Sequence, residues 1–457
     1  MRNEKGLARV ILALAIPTML EQLMASAVQY IDTAMVGTLG TQATAAVGAT
    51  GTVGWLVYGV IAAFGVGFLA IISQACGAGQ PGAARHAAAQ SVLVVLTLGT
   101  VFTALLLSIS KWVPVWMQVD PAIQSLAASY FFVLYLPMLP RTASTIFGTV
   151  LRAAGDTKTP MKVGILVNLI NVVLNFLLIY PTRLFTLGSF TVRIPGAGWG
   201  VIGAAAASAI AFAWGGIHIT WVLWHHPKVS PRGEPLKPDL PMLKHCLRIS
   251  FPNILQRFGT SFGYVVFASM INSIGEVATA AHTIANTVES AFYIPGYGMQ
   301  TAAATLTGNA YGAKDREKMN SLASLFVPIE ITLMIFSGGA LFALAPRLMD
   351  LFSDNPEVIA QGALVLRMVA LSEPLYGFSI IVEGMMLGVG KTKAPFLYNI
   401  IGMWGIRIVG TFLFTQFLNG TLTSAWACMI SHNVFLFGLY LVAYLKGSWN
   451  PLNKHRI

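Results

Sequence analysis

The chain has 457 residues, of which 56% are hydrophobic and only 10% charged, with a mean hydropathy of +0.70. That leaves too little polar surface to cover a water-soluble globule, so a soluble enzyme or a nucleic-acid-binding domain is excluded in spite of a formal charge of +11. The expectation is an all-α integral membrane protein.

Apolar segments of about 20 residues, each long enough for a hydrocarbon core of roughly 30 Å, recur along nearly the whole chain. They fall near 10–34, 44–72, 87–110, 122–149, 162–181, 199–224, 249–272, 278–307, 321–345, 358–388, 396–418 and 422–445, which predicts twelve transmembrane helices. The first, around PTMLEQLMASAVQYIDTAMVG, puts Asp32 near the end of an apolar run. An Asp at the centre of such a helix costs roughly 2.5–3.5 kcal/mol, so it normally faces a polar cavity, a partner or an ion. The start, MRNEKGLAR, has the charge of a signal peptide, but no short apolar region with an A-x-A site follows, and the run reads as a retained first span.

The fifth segment, VNLINVVLNFLLIY, carries Asn168, Asn171 and Asn175 on one helical face. Such a stripe serves either as interhelical hydrogen-bonding glue or as a polar site. Further on, Glu289 lies in ESAFYIPGYG of the eighth segment, and Glu373 and Glu383 lie in the tenth, where Pro374 should kink the helix and free a carbonyl. Glu289, Glu373 and Glu383 are secondary candidates for an ion site; Arg257, Arg367 and Arg407 occupy the same half and offer the alternative of structural ion pairing, as Arg141 does for Glu21 in the first half. Cys76, Cys246 and Cys428 have no disulfide or metal spacing. No GxxxxGK[ST] or HExxH occurs, which leaves ATP drive and zinc-dependent hydrolysis unsupported.

Lysine and arginine sort by side. The connections on the side of the N-terminus hold nearly all of them, including Arg85, Arg152, Lys158, Lys228, Arg232, Lys314, Lys391, Lys454 and Arg456, whereas the opposite connections hold Lys111, Arg183, Arg193 and Arg347. Both termini are therefore expected in the cytoplasm of a cell whose inner membrane the chain spans.

The sequence also aligns with itself. Pro17 falls on Pro252, Gly40 on Gly275, Gly77 on Gly312, Pro121 on Pro356, Gly155 on Gly390 and Pro160 on Pro395, all at one offset without a gap. Each half contains an even number of spans, so the repeats are parallel: a lobe at 1–224, a cytoplasmic linker at 225–248 and a lobe at 249–457. The repeat partners of Asp32, Asn168, Asn171 and Asn175 are Phe267, Met403, Ile406 and Gly410, so the polar set belongs to the first lobe alone.

IDTAMVG in the first span, SQACGAG after the second and LRAAGDTKTP after the fourth, with the echoes GNAYGA and LGVGKTKAP, resemble the multidrug and toxic compound extrusion (MATE) family over essentially the whole chain. The resemblance implies a monomeric secondary transporter that exports small organic, often cationic compounds by alternating access, coupled to entry of Na⁺ or H⁺, with no cofactor. It further implies a cation site in the first lobe, in which Asp32 matches the first-span carboxylate, Asn171 and Asn175 the fifth-span pair and Ser208 a sixth-span hydroxyl, with Ala204 one turn earlier offering a backbone carbonyl. Some members have an acid where Asn175 stands, and a lone carboxylate serves a proton as well as Na⁺. The carboxylate pair that one branch carries in the second lobe is replaced here by Thr260 and Tyr376. A flippase for lipid-linked sugars is the alternative of related architecture; it would call for extra helices or a cavity rich in Arg and Lys. A channel would need a filter-like segment, and none is found.

Overall fold

The computed structural model describes residues 2–187 and 190–453. Lys454 and Arg456 of the charge pattern therefore lie outside the described residues. The described chain forms twelve long helical elements: α1 (Arg2–Gly37), α2 (Thr41–Gly77), α3 (Pro81–Ile109), α4 (Pro121–Tyr135 and Met138–Ala153), α5 (Lys158–Leu178), α6 (Gly200–His225), α7 (Leu240–Asn272), α8 (Glu276–Gly312), α9 (Arg316–Asp350), α10 (Pro356–Ala370 and Glu373–Gly388), α11 (Lys393–Phe417) and α12 (Leu422–Leu445), and all but α7 and α8 are long and apolar enough to cross a membrane, α4 and α10 as bent pairs. Most of these helices run past the apolar segments that announce them, because the chain keeps its backbone hydrogen bonds into the interface.

The repeat is visible in the element boundaries. Thr41 and Glu276 open α2 and α8, and Gly77 and Gly312 close them, each pair 235 positions apart. The same offset relates the starts of α3 and α9, both segments of α4 and α10, and the starts of α5 and α11. The two broken spans bend alike, by 50° after Tyr135 and by 53° after Ala370. Pro137 stands at the first break, and Pro374 opens the helix beyond the second, where a missing N–H and a ring clash prevent continuation. Gly155 and Gly390 end their helices at φ +89° and +78°, a region open to glycine without strain.

Two features were not expected from the sequence. Between α5 and α6 the chain forms an antiparallel hairpin of β1 (Pro181–Leu187) and β2 (Phe190–Ala197), paired from Pro181 with Ala197 to Leu187 with Phe190. Within α11, Ile401–Ile408 is π-helical.

Two compact units emerge. One comprises Leu23–Phe68 and Pro81–Leu243. Its core gathers Val36, Ala43, Tyr130, Ile179, Val201, Ala204 and Ala205. Lipid gives helices no hydrophobic reason to associate, so small residues and close backbone approach do that work. Gly216 of α6 is an instance, since a Cβ there would overlap the carbonyl of Pro140. The polar linker is fastened along α3: Gln90 donates to the Lys237 carbonyl at 2.8 Å and accepts from Asp239 N at 2.9 Å, and His86 Nε2 lies 3.0 Å from Asp239 Oδ2. The Asp239 carboxyl is held below its usual range, chiefly by the Met242 N–H that it caps and then by His86.

The second unit contains the chain up to Gln22, Leu69–Gln80 and the described residues from Lys244 onward. One of its clusters centres on Phe267, Leu366, Met403 and Trp426, another on Ile11, Met299, Phe326 and Tyr440. Thr18 Oγ1 donates to the Gly298 carbonyl at 2.8 Å, which ties the start of α1 to α8.

Candidate functional site

Gln29, Asp32, Thr33 and Val36 recur at helical spacing on α1 and line one cavity of about 410 Å³. That volume lies in the range of about 300–1,000 Å³ usual for small-molecule sites. Tyr130 and Leu134 of α4, Asn175 of α5 and Ala204 and Ser208 of α6 line it too, as does Trp55 of α2. No Lys or Arg is among the lining residues.

Asp32 is half-buried at this cavity. Asn175, 1% exposed, donates from Nδ2 to Asp32 Oδ1. The Asn171 amide, oriented so that its nitrogen meets acceptors, stands 2.8 Å and 3.2 Å from the two Asp32 oxygens, and its own oxygen accepts from Ser208 Oγ at 2.9 Å. Asn175 Oδ1 is buried and has no partner among the described residues. A carboxylate inside an apolar lobe is thus stabilised by two amide donors, with a buried amide oxygen left over beside it.

Of the residues singled out in the sequence, Asp32, Asn171, Asn175 and Ser208 come together through hydrogen bonds, and Ala204 lines the cavity with Asp32, Asn175 and Ser208. Asn168 does not: it is half-buried and is not among the lining residues. It shares their helix face but stands about two turns from Asn175, at another depth in the bundle. At the corresponding place in the other half, Phe267 and Met403 are packed in an apolar core. Gln29, Thr33, Tyr130 and Trp55 were missed. Gln29 and Thr33 had a signal, their spacing from Asp32 on one helix face, whereas Tyr130 and Trp55 are brought in only by packing.

The acids of the second half are arranged differently. Glu289 and Glu383 line a second cavity, of about 120 Å³, with Arg257 and Arg407. Glu373 is 1% exposed, is not among that cavity's lining residues, and has one oxygen without a partner. The expected ion pairs are not formed: no Arg nitrogen approaches these carboxylates within 4.0 Å among the described residues. Arg367 instead lies over the ring of Phe342, Arg407 over those of Tyr264 and Phe267, and Arg141 over those of Tyr135 and Phe212. Aromatic faces attract guanidinium without a carboxylate. Glu383 accepts from Gln256 at 2.9 Å. Thr260 and Tyr376 hold no acid, and the Tyr376 hydroxyl pairs with that of Tyr297 at 2.8 Å. Glu330 was also missed, although a carboxylate in FVPIEITLM is as conspicuous as Asp32; it is fully buried, and neither oxygen has a partner among the described residues.

The MatE family model matches residues 17–177 and again 252–413, one match in each repeat. Among curated proteins, the probable multidrug resistance protein NorM of Thermotoga maritima is 27% identical over 450 residues, covering 98% of this chain and 95% of that protein. The probable multidrug resistance protein YpnP of Bacillus subtilis is 25% identical over 407 residues, covering 88% and 87%. Among solved structures, a MOP superfamily transporter from Pyrococcus furiosus superposes with a TM-score of 0.88 at 23% identity, covering 96% of both chains. A multidrug resistance MATE family transporter in an outward-facing conformation gives 0.88 at 22% identity, covering 98% and 96%. Two family matches in register with the internal repeat lead to one assignment: the chain belongs to the MATE family, whose members are membrane transporters rather than enzymes.

Proposed function

We propose that the protein exports small organic, often cationic compounds from the cytoplasm across the inner membrane as a monomer, by alternating access coupled to entry of Na⁺ or H⁺ through Asp32. The observation that carries this reading is the unpartnered Asn175 Oδ1 next to an Asp32 carboxylate that two amides hold. With Asp32 charged, the amide nitrogens face it. A proton on Asp32, or a hard cation against it, reverses that preference, because the amide oxygens of Asn171 and Asn175 then become the better neighbours. Rotation of two amides on α5 converts ion binding into a change of packing between α1, α5 and α6.

The residues fit either ion: one carboxylate, two amide oxygens, the Ser208 hydroxyl and the Ala204 carbonyl form an all-oxygen set suited to Na⁺, and Asp32 alone suffices for a proton. The absence of Lys and Arg from the larger cavity favours cationic compounds over the pyrophosphate of a lipid-linked sugar, so export is preferred to flippase activity. We further propose that 1–224 and 249–457 are the two lobes that rock, with 225–248 as their cytoplasmic linker.

The test is ethidium transport by purified protein in proteoliposomes under imposed Na⁺ or pH gradients. Asp32→Asn keeps the shape and removes the charge, so gradient-driven transport should fall to background while ethidium binding and the melting temperature stay near wild type. Undiminished gradient-driven flux in Asp32→Asn, with loss in Glu289→Gln or Glu373→Gln, would move coupling to the second half.

A further inference from the structure

The small cavity of the second unit contains opposite charges that line the same space without meeting. Arg407, 3% exposed on α11, has Nε and Nη2 buried with no hydrogen-bond partner among the described residues. Glu289, 6% exposed on α8, lines the same cavity. No nitrogen of Arg407 lies within 4.0 Å of a Glu289 oxygen. Aromatic stacking on Tyr264 and Phe267, with ring centroids 4.8 Å and 4.0 Å away, holds the guanidinium plane but leaves its N–H fork unused.

The surroundings continue this polarity. Both ring nitrogens of His432 are buried with no partner among the described residues, as are Asn253 Oδ1 and Gln256 Oε1, and all three residues line the cavity. Glu383 is already engaged by Gln256 Nε2. Arg407 also lies in the π-helical turn Ile401–Ile408, the kind of local irregularity that recurs at functional sites. Isolated buried charges are costly, and a ligand of net charge would answer one of the two and repel the other. At about 120 Å³ the space is well below that of a drug-sized site, about 300 Å³ or more, and admits a group of a few heavy atoms.

We propose that this cavity binds a compact zwitterion, its carboxylate on the Arg407 guanidinium and its ammonium on the Glu289 carboxylate. A guanidinium fork matches a carboxylate in two parallel hydrogen bonds, an ammonium needs only an acceptor cluster, and a neutral ligand leaves the unit electrically balanced. The site is independent of coupling at Asp32.

The experiment is equilibrium dialysis of radiolabelled glycine against purified full-length protein in nanodiscs, with acetate and methylammonium as competitors. Saturable glycine binding is expected, with each competitor weaker by about tenfold or more. Arg407→Lys, which keeps the charge and loses the fork, and Glu289→Gln, which keeps the shape, should each weaken glycine by about tenfold or more, with size-exclusion profiles and melting temperatures confirming the fold. Absence of saturable glycine binding to the folded wild-type protein overturns the proposal. So does acetate binding as tightly as glycine with Glu289→Gln unaffected, which would mark a plain anion site.

Discussion

Gly77 and Gly312 occupy reciprocal positions at one helix crossing. A Cβ on Gly77 of α2 would overlap the carbonyl of Asn309 on α8, and a Cβ on Gly312 of α8 would overlap the carbonyl of Gln74 on α2. The two backbones touch because neither residue has a side chain. Substitution should therefore cost more here than at a helical glycine with open space. Gly77→Val and Gly312→Val are expected to destabilise by about 1–3 kcal/mol or more through overpacking. Gly438→Ala in α12, where nothing lies within 4 Å, should be neutral or stabilising by about 0.5–1 kcal/mol. Thermal melts of the three variants in one detergent rank them; equal losses would refute the close crossing.

Asn175→Asp places a second acid against Asp32, since Asn175 Nδ2 donates to Asp32 Oδ1 in the native site. Adjacent carboxylates bear a single negative charge over a wider pH range than one carboxylate does. The pH profile of ethidium export should therefore shift by about one unit or more. Asn168→Asp, outside the cavity wall, should leave the profile in place.

Glu330 is fully buried with both oxygens unpartnered among the described residues, its carboxylate seated where a side chain on Gly296 or Gly377 would crowd it. Glu330→Gln preserves that shape without a charge, so its melting temperature should equal or exceed the native value. A loss equivalent to about 1–3 kcal/mol would mean instead that the native carboxylate is satisfied within the protein.

His226 follows α6, its Nε2 3.8 Å from Asp156 Oδ2. Burial holds its imidazole below the usual value of 6.5, with Asp156 opposing and Lys228 assisting that shift. An unfolded chain therefore takes up a proton near pH 6.5 that the folded one refuses until lower pH. The stability due to the neutral ring is present above pH 6.5 and is lost as pH falls. Melts between pH 7.5 and pH 5, about one unit either side of the transition, should show a flatter acid decline in His226→Gln. Parallel curves would remove His226 from the acid response.

Lys and Arg density predicts a cytoplasmic C-terminus and a cytoplasmic connection through Lys228, Arg232 and Lys237. A fluorescent reporter that folds only in the cytoplasm should light up when fused after Ile457. A periplasm-specific reporter active at the same place would reverse the topology.

Composition and hydropathy alone determined that this chain crosses a membrane, because lipid demands long apolar helices that satisfy their own backbone. The repeat was equally legible: Pro17 and Pro252 lie inside their helices, and Gly155 and Gly390 end theirs, since backbone geometry restricts both residue types locally. Asp32, Asn171 and Asn175 could be picked out because polar atoms in an apolar run need a reason, and their confinement to one half could be read from the offset. The tertiary structure decided what those residues touch. It separated Asn168 from its two companions, added Tyr130 and Trp55 from other helices, and set Arg407 and Glu289 in one cavity without a salt bridge although both charges were visible. Sequence spacing fixes which residues share a helix face, but the rotation and depth of one helix against another depend on side-chain packing and on glycines such as Gly77 and Gly216. Only the packed bundle decides whether two polar faces meet, miss or enclose a cavity.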